Sequence, residues 1–317
     1  MSMISPRVLI LLLLTVFGRL SFAAEANDLE FRDGDRVVLL GGTIIEREQQ
    51  FGHWETLLTI AHADKHITFR NLGWSGDTVW GESRGMFEPH LGYQRLIEEV
   101  TAANPTVVLV DYGSNEAFAG EERLVEFVAQ YVKLLDDLAA DGRRFILLSP
   151  MHLEPIRVPY DPDAAADFVE RTNANIALYS KAIETLALDG GHGFVDLLSL
   201  QSDWEQPQRK FDLTFNGLTL TDQGYLLTGR WLASFFSPAI NFDELDVDSP
   251  SITQLREAIV AKNELFFHRW RPQNFTYLYS FRKHEQGNNA VEIPQFDPLV
   301  EQKEREIHKL ARAASEN

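Results

Sequence analysis

Thr106-Val107-Val108-Leu109-Val110-Asp111-Tyr112-Gly113-Ser114-Asn115-Glu116 carries the most information about how this chain folds. Its first five residues are apolar or β-branched without polar alternation, the mark of a strand buried on both faces, as in a parallel sheet covered by helices. The run then breaks into Gly113, Ser114 and Asn115, residues that make a turn at a strand end. Working outward, comparable short apolar runs occupy 36–40, 67–72, 144–149 and 193–197. Between them lie helical patterns at 54–62, 93–103, 123–140 and 163–188. A further helix is expected from Thr221, where Thr221-Asp222-Gln223 supplies a cap and a first turn. Short strands alternating with longer amphipathic stretches predict βα units around one parallel sheet.

In open sheets of this kind ligands bind beyond the carboxyl ends of the strands. Three of those ends are unusual here: Leu40-Gly41-Gly42-Thr43-Ile44, then Asn71-Leu72-Gly73-Trp74-Ser75-Gly76-Asp77-Thr78, then Asp111 to Glu116 as quoted above. Glycine at such a turn lets the backbone approach a ligand and present its N–H groups. The Asn115 side-chain amide adds a donor.

In their order and placement these segments resemble the SGNH (GDSL-type) hydrolase family. That family carries Gly-Asp-Ser after its first strand, a glycine after the second, Gly-x-Asn after the third, and Asp-x-x-His before the last helix. The resemblance runs to about Phe236 and implies a flavodoxin-like three-layer α/β/α fold with a central five-stranded parallel sheet. It also implies that Gly76 offers its backbone N–H, and Asn115 its amide, to an oxyanion. Such donors act on charge that develops in the transition state.

The triad positions depart from the pattern. Gly41-Gly42-Thr43 stands where the family has Gly-Asp-Ser, so Thr43 holds the nucleophile position, with a methyl group that restricts its rotamers. The segment Asn216-Gly217-Leu218-Thr219 stands where the family has Asp-Gly-Ile-His. Asn216 therefore holds the acid position and Thr219 the base position. A hydroxyl nucleophile needs a base to take its proton, and the base needs an acceptor to orient it. Neither Thr219 nor Asn216 supplies these. Candidate substitutes are Glu46 and Glu48, close to Thr43 in sequence, and four histidines. His90 and His152 follow strands two and four, while His268 and His284 lie near the C-terminus. His62 and His66 have helical spacing but no third ligand beside them, which argues against a metal site.

Beyond Phe236, Pro238, the acidic stretch 243–248 and Pro250 separate the sheet region from further helical patterns. The expected organisation is a signal peptide over 1–23, an α/β domain over 24–237 and a helical C-terminal extension packed on it over 238–317. The aromatic segment around Phe266, Phe267 and Trp270 reads as the glue of that extension. The charged stretch 301–312 reads as a solvated helix face. At the N-terminus, Arg7, the apolar run 8–17 and Ser21-Phe22-Ala23 have the form of a secretory signal, implying an exported protein, periplasmic or extracellular. The apolar run is short of the ~20 residues that span a bilayer. A net charge of −18 over 317 residues disfavours nucleic acid and anionic membranes as partners. The chain has no cysteine, which excludes disulfides, thiolate metal sites and a cysteine nucleophile. No cofactor and no metal are expected. Two functions follow: by lineage an ester hydrolase acting on acyl esters of carbohydrate, its turnover in question, or an inactive module that binds a carbohydrate or a partner protein.

Overall fold

The computed structural model describes residues 30–140, 142–155, 161–204 and 212–315. The signal-like segment lies outside the described residues. Five strands form one all-parallel sheet: β1 (Arg36–Gly41), β2 (Thr68–Asn71), β3 (Val107–Asp111), β4 (Arg144–Leu148) and β5 (Gly193–Val195), in the order β2-β1-β3-β4-β5. This is the expected flavodoxin-like sheet. β5 is shorter than the sequence suggests because Leu197 starts a helix.

Strand side chains divide between two cores. Val38, Leu40, Val108, Val110 and Leu147 pack with α3 (Gly92–Ala103), α4 (Leu124–Leu138) and α5 (Pro162–Gly190). Val37, Leu39, Val107, Leu109, Ile146 and Leu148 pack on the other face, with α1 (Thr43–Phe51), α2 (His53–Ala61) and α7 (Asp222–Phe236). A strand buried on both sides has no need of polar alternation, and β3 is buried at all five positions. The cap expected at Thr221 is present: its side chain accepts the Gly224 N–H. α6 (Leu197–Trp204) lies between β5 and α7.

The helix α1 is absent from the sequence expectation, which starts the first helix at Trp54. Thr43-Ile44-Ile45 is β-branched and reads as the end of a strand, but burial of Ile45, Glu48 and Gln49 overrides that weak preference.

The C-terminal segment is helical as expected: α8 (Pro250–Trp270), the short α9 (Phe275–Leu278) and α10 (Lys283–Gln286), and α11 (Phe296–Ser315). The stretch 301–312 is more than a solvated face, since Ile307 and Ala311 pack with Ile252, Leu255 and Ile259 of α8. A buried ion pair fastens α8 to the sheet region. Lys262 Nζ lies 2.7 Å from Glu55 Oε1 and donates to the Phe69 carbonyl at 3.0 Å and to Asn263 Oδ1 at 2.8 Å.

Candidate active site

β1 connects to β2 on one side of the sheet while β3 connects to β4 on the other, so the chain reverses its winding between β1 and β3. Crevices open at such a point. Gly41 and Asp111, the last residues of these strands, are register partners. Beyond them lies a pocket of about 250 Å³ that brings together Thr43, Asn115, Asn216 and Thr219, four of the five residues singled out from sequence.

Thr43 is the first residue of α1, and its Oγ1 accepts the Gly76 N–H at 3.2 Å. The fifth residue is thereby joined to the other four. Gly76 has φ of +73°, and the nearest atom to a β-carbon built there would be Ser83 Oγ at 3.7 Å. Backbone twist, more than lack of room, is what calls for glycine. The turn is pinned from several sides. Glu46 on α1 accepts from Ser75 N–H at 2.7 Å and Ser75 Oγ at 2.9 Å, and Ser83 Oγ donates to the Gly76 carbonyl at 2.9 Å. Beneath it the buried Asp77 carboxylate accepts from Arg84 Nε and from the Tyr112 hydroxyl, each at 2.7 Å. Arg84 continues to Glu99 and to the Leu72 carbonyl, both at 2.8 Å.

Asn115 Nδ2 donates to the Asp77 carbonyl at 2.8 Å and lies 3.3 Å from where a β-carbon on Gly42 would stand. An amide nitrogen carries two hydrogens, so one remains for a ligand. Gly76 and Asn115 thus flank the start of α1 on the side of Thr43.

The acid and base positions are built differently. Asn216 Oδ1 accepts from Thr219 N–H at 2.8 Å and Leu218 N–H at 3.2 Å, closing its own turn. Glu154 braces the same turn through Thr214, at 2.7 Å to the N–H and 2.6 Å to the hydroxyl. Thr219 lines the pocket without a titratable group.

None of the candidate substitutes enters this pocket. Glu46 is held by Ser75 and by Arg271, which approaches it to 2.6 Å from just beyond α8. Glu48 is buried and accepts the Trp54 N–H at 2.7 Å, with burial pushing its carboxyl well above the usual range. His90, His152, His268 and His284 are absent from the pocket lining, as are the other histidines. His62 Nδ1 lies 2.9 Å from the Leu58 carbonyl, within its own helix end. A histidine–carboxylate pair does exist, His53 Nε2 to Asp222 Oδ1 at 2.9 Å, but it joins α2 to α7 outside the pocket. Among the described residues, no three His, Asp or Glu side chains are grouped to hold a metal ion.

Besides Asp77 and Tyr112, which bond to each other, the pocket is lined by two further carboxylates that the sequence does not single out, Asp111 and Glu116. Burial raises both carboxyls to about 7, and the Glu116 charge adds to the effect on Asp111. Glu116 is fully engaged, accepting the Val79 N–H at 2.9 Å and the Gly113 N–H at 2.8 Å. The sequence signal was there to see: a carboxylate at the end of an otherwise apolar buried strand.

Comparison with protein-family models matches residues 30–227 to the GDSL-like lipase/acylhydrolase family. A catalytic mutant of Axe2, an acetylxylan esterase from Geobacillus stearothermophilus, is similar in structure, with 16% identity and a TM-score of 0.51, covering 67% of this chain and 98% of that one. Axe2 itself aligns with 17% identity and a TM-score of 0.50, over 66% of this chain and 96% of that one. A gut microbial diltiazem-metabolizing enzyme aligns at 16% identity and a TM-score of 0.48, covering 66% of this chain and 48% of that one, so this chain spans about half its length. A search of curated proteins finds no significant match.

Proposed function

The chain belongs to the GDSL-like lipase/acylhydrolase (SGNH hydrolase) family, and from that premise we propose that its crevice recognises an acyl ester, of carbohydrate, and polarises the ester carbonyl between Gly76 and Asn115. The observation that carries this reading is the placement of two donors at the start of α1, the Gly76 N–H against Thr43 and the Asn115 amide beside Gly42. Two such donors favour an oxyanion over a neutral carbonyl, and removing one costs on the order of 10²–10³ in rate where turnover exists. The pocket of about 250 Å³ suits a small acyl group. The carbohydrate part of the reading is supported by the acetylxylan esterases that share the fold. The signal-like N-terminus supports an exported protein.

The family's serine–histidine relay has no counterpart among the pocket residues, because Thr43 faces no imidazole and Asn216 is engaged in its own turn. That engagement favours a second reading, a binding module of the same fold that does not turn its ligand over.

Binding of acetylated xylo-oligosaccharide to the purified chain and to Asn115→Ala, measured by calorimetry beside the deacetylated sugar, tests the proposal. Preference for the acetylated form that weakens in the variant is expected. Equal affinity for both sugars would remove the acyl group from the recognition. An acetyl-ester assay of the wild type beside Thr43→Ala separates the routes to turnover: equal rates eliminate a Thr43 nucleophile.

A further inference from the structure

We propose that Asp111 is the general base of this pocket, taking a proton from a water molecule that attacks the acyl carbon of the ester bound between Gly76 and Asn115. The inference rests on the ester-binding reading above and adds a route to turnover that bypasses the missing histidine.

Asp111 closes β3, where the alternation of side chains puts it on the same face as Val107 and Leu109, toward α1 and α7. Thr43, at the start of α1, is on that side too. Gly41, its register partner, makes the space: a β-carbon there would stand 3.1 Å from the Asp111 β-carbon and 2.5 Å from the Asp111 carbonyl oxygen. The residue is only 6% exposed, yet no described side chain or backbone N–H donates to its carboxylate, and the surface it does expose is on the pocket. A buried carboxylate without donors is costly and is normally paired. Here the unmade hydrogen bonds are available to a ligand or to water.

The groups facing it are anionic or neutral. Glu116 approaches from the turn after β3, Tyr131 from α4 and Tyr225 from α7, and no lysine, arginine or histidine lines the pocket. Burial and then Glu116 raise the Asp111 carboxyl to about 7, the range in which a base is both available and strong at neutral pH. The Thr43 oxygen accepts the Gly76 N–H, and no hydrogen bond joins the Thr43 hydroxyl to Asp111, so the proton that Asp111 receives is assigned to water.

The step balances. The water oxygen bonds to the acyl carbon, its proton passes to the Asp111 carboxylate, and the carbonyl electron pair moves onto the oxygen, which takes the Gly76 N–H in place of the Thr43 hydroxyl and the remaining Asn115 hydrogen. On collapse the acyl carbon–oxygen bond breaks and the leaving alkoxide takes the proton back from Asp111. The products are an acid and an alcohol.

The test is hydrolysis of 4-nitrophenyl acetate and of acetylated xylo-oligosaccharide between pH 5 and 9, with binding of the acetylated sugar followed in parallel. The wild type is expected to turn over above buffer with a rate that climbs through about pH 7. Asp111→Asn is expected to lose about 10²–10⁴-fold and the rising limb with it, while still binding the sugar. Should Asp111→Asn not fold, the wild-type profile decides, and a flat profile between pH 6 and 8 overturns the proposal. So does a wild-type rate in Asp111→Asn, or ester binding by the wild type without any turnover. In that last case the ester-binding reading survives, whereas failure to bind the acetylated sugar removes that reading itself.

Discussion

Arg271 Nη1 lies 2.6 Å from Glu46 Oε2, and the same carboxylate holds the Ser75 N–H at 2.7 Å, one residue before Gly76. The C-terminal helices therefore do more than cover the sheet. Arg271 stacks 3.5 Å over the Trp74 ring, so the end of α8 grips the turn by charge and by face. Both members of the ion pair are half-buried, which strengthens it beyond an open surface pair. Arg271→Ala is expected to lower affinity for an acetylated sugar several-fold while the protein stays folded. A double-mutant cycle with Glu46→Gln should give a coupling of about 0.5–3 kcal/mol in denaturant unfolding. Additive single effects would mean that the two residues act separately on the turn.

The Lys262–Glu55 pair should govern whether the extension stays attached. Lys262 is wholly buried and Glu55 nearly so, at 2.7 Å. Removing the cation leaves a carboxylate in an apolar place, and breaking a buried pair costs about 3–5 kcal/mol. Lys262→Ala is thus expected to lower the urea midpoint strongly. The double variant Lys262→Met with Glu55→Leu removes both charges and should recover most of the loss. A mild Lys262→Ala, or a double variant as weak as the single, would contradict this account.

Much of this arrangement could be read along the chain, and some could not. The five strands announce themselves as apolar runs, and Gly76 and Asn115 stand out because they follow two of those runs at fixed places. Thr43 was found, but the helix it starts was not, since its β-branched neighbours suggest a strand and only burial against the sheet decides otherwise. Arg271 and Glu46 are 225 residues apart, a pairing no local pattern encodes. Asp111 was visible as a letter, but its isolation depends on Gly41 across the sheet and on Glu116 beneath it.

Stability should respond to pH through Asp111, with a definite sign. Burial, then Glu116, raises its carboxyl from 3.8 to about 7 in the folded chain. Between those values the folded state holds a proton that the unfolded chain releases, so the contribution is complete below about pH 4 and lost as pH rises through about 7. Asp111→Asn cannot ionise. It should match the wild type in thermal unfolding near pH 4 and exceed it at pH 8, by on the order of 2–4 kcal/mol at about 1.4 kcal/mol per pKa unit. Equal stability at pH 8 would show that the carboxylate is better solvated than its burial implies.

The missing relay can be put back by design, because its scaffold survives. The 213–221 turn is held by backbone bonds from Phe215 N–H to the Thr219 carbonyl at 2.8 Å and from Thr221 N–H to the Leu213 carbonyl at 2.9 Å, neither of which needs the Asn216 or Thr219 side chains. An aspartate at 216 can accept the same two N–H groups that Asn216 Oδ1 now accepts, as short polar residues do in turns. Thr219 lines the pocket with Thr43, so an imidazole at 219 would enter the same space. In a serine protease the nucleophile and base account for about 10⁶ in rate. The triple variant Thr43→Ser, Asn216→Asp, Thr219→His is accordingly expected to hydrolyse 4-nitrophenyl acetate at least about 10²-fold faster than the wild type. Thr43→Ser alone should gain little, since its hydroxyl still lacks a base. A folded triple variant no faster than the wild type would mean that position 219 is too far from position 43 for proton transfer, and that the pocket departs from its family in geometry as well as in residues.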